Sequence, residues 1–309
     1  MLAKQNQYTI NMVVYAATLK AHYAYYVQTW NKSGKREYSI EPSLYAVKSF
    51  IESKGINADN AISDFILSLE TKHSMKKKLE YFHSFNTYCG MNERCIARHA
   101  AGETICKKCY SFTLTAIYDA LLNKLIKASF LFCNEIIEPQ DMPVLNHDID
   151  FERLESFGDI NNKIQAINYI NLCVKNDHMR FTLWSKNPDI MYAAFLEKGF
   201  KPKNMVLIYS SPKINKIDKS VIGKYIINGK DIIDRIFTVY TAEYAILNNI
   251  QIHCINSHCI SCMRCYKGNA FYVNEIVKIQ QKYYLNLKAA KNAGSDEFKK
   301  VFKNRERLV

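Results

Sequence analysis

Met179-Arg180-Phe181-Thr182-Leu183-Trp184-Ser185-Lys186-Asn187-Pro188-Asp189 is the stretch that decides the fold. Residues 179–184 read as a buried strand that stops at Ser185-Lys186. Asn187-Pro188-Asp189 then reads as a helix start, a cap followed by a proline in the first turn, and Gly199 closes that helix. The apolar run 205–209 is the next strand, ending at Ser210-Ser211-Pro212.

The same alternation continues on both sides. Upstream, 151–157 reads as a strand ending at Gly158-Asp159, followed by a helix at 161–176 carrying Ile164, Ile167, Ile170, Leu172 and Val174. Earlier still, 79–85 reads as a strand. One long helix is expected at 110–137, apolar at Leu114, Ile117, Leu121, Leu122, Leu125 and Ile126 and ended by Glu138-Pro139. Downstream, 235–240 is a strand, and 250–252 leads into a cysteine-rich run. Strands alternating with helices mean a parallel sheet buried on both sides. About five or six such units suit an α/β fold, a full or partial (β/α) barrel with parallel strands. A doubly wound open sheet is the alternative.

The barrel domain is expected at 79–270, preceded by an N-terminal extension at 1–78 and followed by a basic helical segment at 271–309. In the extension, 8–15 is strand-like. Tyr23, Tyr25, Tyr26 and Trp30 read as packing surface in preference to a base-stacking platform. Helical patterns follow at 44–51 and within 57–69.

Eight of the ten cysteines fall into two quartets. Cys89, Cys95, Cys106 and Cys109 are spaced C-x5-C-x10-C-x2-C; Cys254, Cys259, Cys262 and Cys265 are spaced C-x4-C-x2-C-x2-C. No secretory signal is apparent and no window is apolar enough to span a membrane, so a reducing cytoplasm is expected. Thiols this dense there read as metal ligands before disulfides. The second spacing favours an iron–sulfur cluster, of the 4Fe-4S type; zinc is the alternative and suits the first quartet best. Cys133 and Cys173 sit in apolar segments and read as core thiols.

Lys and Arg exceed Asp and Glu by 42 − 29 = +13 over 309 residues. That field suits a polyanionic partner, nucleic acid or a nucleotide, although a lysine-rich composition also supplies plain solvated surface. In barrels the site lies at the carboxyl ends of the strands. Those ends carry Asp159, Lys186, Ser210 or Ser211, and Tyr240 or Thr241. Asp159, Lys186 and Ser210 are therefore the catalytic candidates: Asp159 as a base or hydroxyl ligand, Lys186 to hold a phosphate or carboxylate. Both quartets are expected at the same face.

The pieces Cys106-Lys107-Lys108-Cys109-Tyr110, Arg153-Leu154-Glu155-Ser156-Phe157-Gly158-Asp159, Phe181-Thr182-Leu183-Trp184-Ser185-Lys186 and the run 254–266 occur in the order seen in one family. Across 79–270 the chain resembles the phage gene product 88 family of phages and mobile elements. The family is in turn distantly similar to radical S-adenosylmethionine enzymes. That resemblance implies a partial barrel with a cluster-binding cysteine loop after its first strand. The chain departs from the radical pattern: it lacks C-x3-C-x2-C and a clear glycine-rich segment, and a fully ligating quartet leaves no iron open. Three readings follow: an iron–sulfur enzyme of redox or radical type, a metal-stabilised nucleic-acid-binding protein, and a scaffold of a mobile element.

Overall fold

The structure, a computed structural model, describes residues 61–73, 78–101, 105–255, 258–268 and 270–295, together with Glu52. The strand expected at 8–15, the aromatics of 23–30, the helix at 44–51 and the basic end at 296–309 lie outside the described residues. In chain order the elements are α1 (Ala61–Leu69), β1 (Thr71–Lys72), β2 (His83–Phe85), α2 (Glu93–Ala100), α3 (Tyr110–Thr115), α4 (Asp119–Asn134), β3 (Phe151–Leu154) and α5 (Lys163–Lys175). They continue with β4 (Arg180–Ser185), α6 (Pro188–Lys198), β5 (Met205–Ser210), the small hairpin β6 (Ile226–Ile227) and β7 (Lys230–Asp231), and β8 (Arg235–Tyr240). Last come α7 (Ala242–Leu247), the single turn α8 (Cys259–Cys262), β9 (Tyr272–Ile276) and α9 (Gln281–Asn292).

Seven strands form one sheet in the order β1-β2-β3-β4-β5-β8-β9. From β2 onward every neighbouring pair is parallel, and β1 adds antiparallel at the edge. Side chains alternate between the two faces of a strand. Phe85, Leu154, Phe181, Leu183, Leu207 and Ile236 point one way and share a core with Phe132 of α4, Ile167 and Ile170 of α5, and Phe195 of α6. Tyr240 and Ile276, on the same face, pack with α7 and α9. Parallel strands laid down in chain order by right-handed crossovers place the crossover helices on one face. A doubly wound sheet needs the order to reverse, so that alternative is excluded. The other face carries Ser84, Arg153, Thr182, Trp184, Ile208 and Glu275, and residues 258–268 lie across part of it.

Among the described residues nothing pairs β1 with β9, so the sheet is open and the full barrel of the sequence reading is corrected. Closing a β/α barrel takes eight parallel strands, and this sheet has six. The sheet also runs past both ends of 79–270, with β1 before it and β9 after it, so 271–309 begins with a strand and is not wholly helical. Residues 250–252 are not a strand: Ile250 and Ile252 pack against the α7–α9 cluster, and only Cys254 bridges to β9. The second quartet thus follows a helix and loop, not a strand. Among the described residues no helix is long and apolar enough to cross a membrane.

Two further differences bear on the site. The helix expected at 110–137 is two, broken at 116–118, where the Thr115 hydroxyl donates to the carbonyls of Ser111 (2.8 Å) and Phe112 (3.2 Å) and Tyr118 turns extended to open α4. The strand expected at 151–157 stops at Leu154 because Glu155 is left-handed, with φ 60°. That conformation costs roughly 1–2 kcal/mol. It turns a buried carboxylate toward four donors: the Thr87 amide (3.2 Å) and hydroxyl (2.9 Å), Gln165 Nε2 (2.6 Å) and the Tyr169 hydroxyl (2.5 Å). Gly158 follows at close quarters. A Cβ there would lie 2.2 Å from Glu155 Oε2 and 2.5 Å from the Thr87 carbonyl. Gly158→Ala is therefore expected to lower stability by about 1–3 kcal/mol, read as a shifted urea midpoint. An unchanged midpoint would mean the Glu155 network yields freely.

Candidate metal centre

The first quartet is built on the loop that leaves the carboxyl end of β2. Cys89 lies in a short 3-10 turn, Cys95 on α2, Cys106 in a second 3-10 turn, and Cys109 directly before α3. Asn92 caps α2 by accepting from the Cys95 amide (3.2 Å). Its Nδ2 donates to the carbonyls of Asp159 and Ile160 (both 3.1 Å), tying the loop to the turn beyond β3. The Ile105 amide donates to the Pro212 carbonyl (3.0 Å) just beyond β5. The four thiols therefore sit over the carboxyl ends of the first strands.

Cys89 and Cys109 are in thiol–thiol contact, and the Cys89 thiol also meets the Ser111 hydroxyl at 3.3 Å. The Cys89 hydrogen bond, with the Phe112 and Ser111 amides at the start of α3 and the nearby Lys186 charge, holds the Cys109 thiol down at about 6 against the opposing effect of burial. The contact with Cys109, then burial, pushes Cys89 far up; burial and then Asp159 do the same to Cys95. In protein stripped of metal by chelation, iodoacetamide is expected to modify Cys109 ahead of its three partners, half-maximally near pH 6. Peptide mass spectrometry reads this, and equal rates at all four thiols would contradict it.

Asp159 and Lys186 stand beside this quartet. Asp159 is 1% exposed and heavily committed. Its Oδ1 accepts from the Ser185 hydroxyl (2.6 Å) and the Ile160 amide (2.9 Å), and both oxygens accept from the Lys186 amide (3.2 and 3.1 Å). Arg98 Nη1 lies 3.7 Å and Lys186 Nζ 4.0 Å from Oδ2. Burial would push the Lys186 ammonium down, but Asp159 and the thiols of Cys106 and Cys95 outweigh it and hold it above its ordinary value. Asn187, expected to cap α6, makes no side-chain cap; its Oδ1 accepts from Arg98 (2.6 Å) and its Nδ2 donates to the Ile160 carbonyl (2.8 Å). Ser210 is buried at the end of β5 on the helix-free face, and among the described residues no hydrogen bond links it to Asp159 or Lys186. Of the three catalytic candidates, Asp159 and Lys186 pair, and Ser210 ends the strand next to the one that Lys186 follows.

The second quartet lies over the helix-free face. Its four thiols wall one pocket together with His253, Met263 and Tyr266. Met263 adopts a left-handed φ of 46° after α8, which reverses the chain so that Cys265 returns toward Cys259 and Cys262. Arg235, at the amino end of β8, donates to the carbonyls of Arg264 and Gly268 and clamps the loop to the sheet. Tyr266 is fully buried among Phe82, Phe151 and Trp184. Two cations face the thiols. Lys78 pairs with Glu275 and hydrogen-bonds Cys254; Arg153 stacks on Trp184 (3.9 Å to the ring centre) within the field of Cys259 and Cys265, and its buried Nε has no hydrogen-bond partner. Burial pushes the Cys254 thiol up to about 11 and Cys265 to about 12 even with Lys78 and Arg153 nearby, so a bound cation would be needed to ionise them.

Tyr110, directly after Cys109, is half exposed and sets its ring edge-on to Phe157 (5.8 Å between centres). Among the described residues no three cysteine sulfurs lie within 4.8 Å of one another, whereas four thiolates on one zinc stand about 3.8 Å apart. Cys173 is buried in the helix-side core, and Cys133 is buried on α4 with Asn161 Nδ2 3.9 Å from its sulfur.

Reading the sequence missed Arg98, Asn92, Glu155, Lys78, Arg235 and Glu275. Arg98 could have been found, since it lies one turn after Cys95 in the same loop. The others carry no local signal. No family model matches the chain, and no curated protein or solved structure is significantly similar to it.

Proposed function

We propose that this protein is an iron–sulfur enzyme of redox type, built on a partial (β/α) barrel and related to the phage gene product 88 proteins that its motifs resemble. The observation that carries the reading is the pocket walled by Cys254, Cys259, Cys262 and Cys265, with Arg153 and Lys78 turned toward the thiols. The donor set fits such a group: sulfur ligands, a buried unpaired Arg153 Nε and cationic neighbours all suit an anionic thiolate cluster. The C-x4-C-x2-C-x2-C order of the second quartet favours a multi-iron cluster over a single zinc. Bound there, a cluster would supply one-electron transfer.

The chain's own residues do the rest. Tyr266, Phe151 and Trp184 exclude water from the second site, and Arg235 fixes its loop. Lys186 and Arg98 add positive charge beside the first quartet, which favours thiolate over thiol and would attract an anionic substrate. Asp159 holds both cations and the end of β4; with its oxygens occupied by donors it positions and does not act as a base. A radical mechanism would further require one cysteine of a quartet to be a non-ligand, leaving a coordination position for S-adenosylmethionine. Anaerobic purification followed by iron, sulfide and zinc analysis tests the reading. Iron and sulfide in comparable amounts are expected; stoichiometric zinc without sulfide would overturn it.

The +13 charge favours a second reading, a metal-stabilised nucleic-acid-binding protein without catalysis. If it holds, affinity for RNA or DNA should fall steeply with salt, because bound phosphates release counterions. Binding that stays level between 50 and 200 mM salt, a range over which several phosphate contacts cost roughly a thousandfold, would exclude the basic surface as the contact.

A further inference from the structure

A second set of metal-binding side chains lies on the opposite face of the sheet from the second quartet. His83 and Glu152 are neighbours across the β2–β3 pair, near the amino ends of the strands and on the helix side. Glu70, just after α1, and His147, in the loop before β3, close over them. His83 Nδ1 is 2.8 Å from Glu70 Oε2, and His147 Nε2 is 2.7 Å from Glu70 Oε1 and 3.4 Å from Glu152 Oε2. The two imidazole rings are 4.0 Å apart at their centres. One ligand atom from each of Glu70, His83 and His147 lies within 4.8 Å of the other two.

The group is buried and under-satisfied. Glu152 is 0% exposed; its Oε2 meets His147 Nε2 at 3.4 Å, while its Oε1 has no hydrogen-bond partner among the described residues. His147 Nε2 and Glu70 Oε1 face each other at 2.7 Å, and both side chains are only 8% exposed. A buried carboxylate without donors is costly, and such groups are found paired or coordinating a metal. Here one ligand atom each from Glu70, His83 and His147 converge, and Glu152 Oε2 approaches the same His147 nitrogen at 3.4 Å.

We propose that Glu70, His83, His147 and Glu152 form a binding site for one divalent transition metal ion, a two-imidazole, two-carboxylate site chemically distinct from the thiolate sites. Nitrogen and oxygen donors accept zinc, ferrous iron or manganese, whereas thiolates discriminate against manganese. The ion would bind α1, the loop before β3 and the first two parallel strands into one unit. The inference does not rest on the iron–sulfur reading: the site lies at the other end of the strands from Cys89 and Cys95 and on the other face from Cys254 and Cys265.

Manganese therefore makes a selective probe. The full-length protein, with its thiolate sites as purified, is titrated with Mn2+ while the EPR signal of the free ion is followed. One ion per chain is expected to bind, and Mn2+ is expected to raise the melting temperature. Glu152→Gln, which keeps the shape, should weaken binding at least tenfold, and His147→Gln should abolish it. Cys173→Ser should leave it unchanged. Absence of both Mn2+ uptake and a thermal shift in the wild-type protein would overturn the proposal, whatever the folding of the variants. So would uptake that Glu152→Gln leaves intact, since that ion would sit elsewhere.

Discussion

Replacing Cys259 or Cys262 by Ser is expected to strip the metal from the second thiolate site and to take the soluble fold with it. The reason is linkage. A thiolate site does not exist in the unfolded chain, so its binding free energy, apparently about 10–16 kcal/mol for structural zinc, acts as folding free energy. Apart from the thiols, the described part of 254–268 is held by a few contacts: the two carbonyls that Arg235 grips, the Tyr266 ring, the Cys254 amide on the Asn274 carbonyl (3.0 Å), the Cys259 amide on the Lys78 carbonyl (2.8 Å) and the His258–Glu80 pair (3.2 Å). The measurement is metal and sulfide content together with the soluble fraction. Cys173→Ser removes a core thiol with no part in either quartet and should leave metal content at the wild-type value. A soluble, fully metallated Cys259→Ser protein would remove that residue from the ligand set.

Asp159→Ala should cost about 3–5 kcal/mol, the usual penalty for removing one partner of a buried charge group. Four hydrogen bonds to its carboxylate would vanish, and Arg98 and Lys186 would keep their charges without the anion that balances them. Asp159→Asn keeps the shape and one acceptor and should cost about 1–3 kcal/mol. Chemical denaturation separates the two. Metal content should fall in the alanine variant as well, because Cys95 and Cys106 lie against the same cations. If Asp159→Asn keeps the redox activity once one is known, the carboxylate positions the loop and carries no proton. If the alanine variant is as stable as wild type, the ion cluster is not what holds the quartet loop on the strand ends.

Much of the central architecture was legible in the sequence because it depends on near neighbours in the chain. The strand at β4, the proline start of α6 and its glycine stop are local events, and they lie within a residue of where the pattern put them. Gly199 takes a left-handed φ of 77°, which explains why a glycine ends that helix. Asp159 and Lys186 fall at adjacent strand ends because parallel strands all point the same way. The errors were also local in origin. The helix pattern across 110–137 has no proline or glycine at 116–118, so periodicity alone could not reveal the break. Glu155 continues the strand's alternation, and only the donors waiting around it pull it out of the strand.

By itself, the sequence determined that eight thiols form two sets, that strands and helices alternate into a parallel sheet, and that a carboxylate and an ammonium end neighbouring strands. Tertiary structure alone decided that the sheet stays open, that the helices crossing between its strands lie on one face and that the second quartet, with its single turn α8, covers the other. Period-two alternation says that a strand has two faces; it does not say what will cover each. The same holds for the charges. Lys78 finds Glu275 across 197 residues, and His83 finds Glu152 across the β2–β3 register. Such pairings are set by the order in which strands are laid side by side, and nothing in the local sequence of either partner records it.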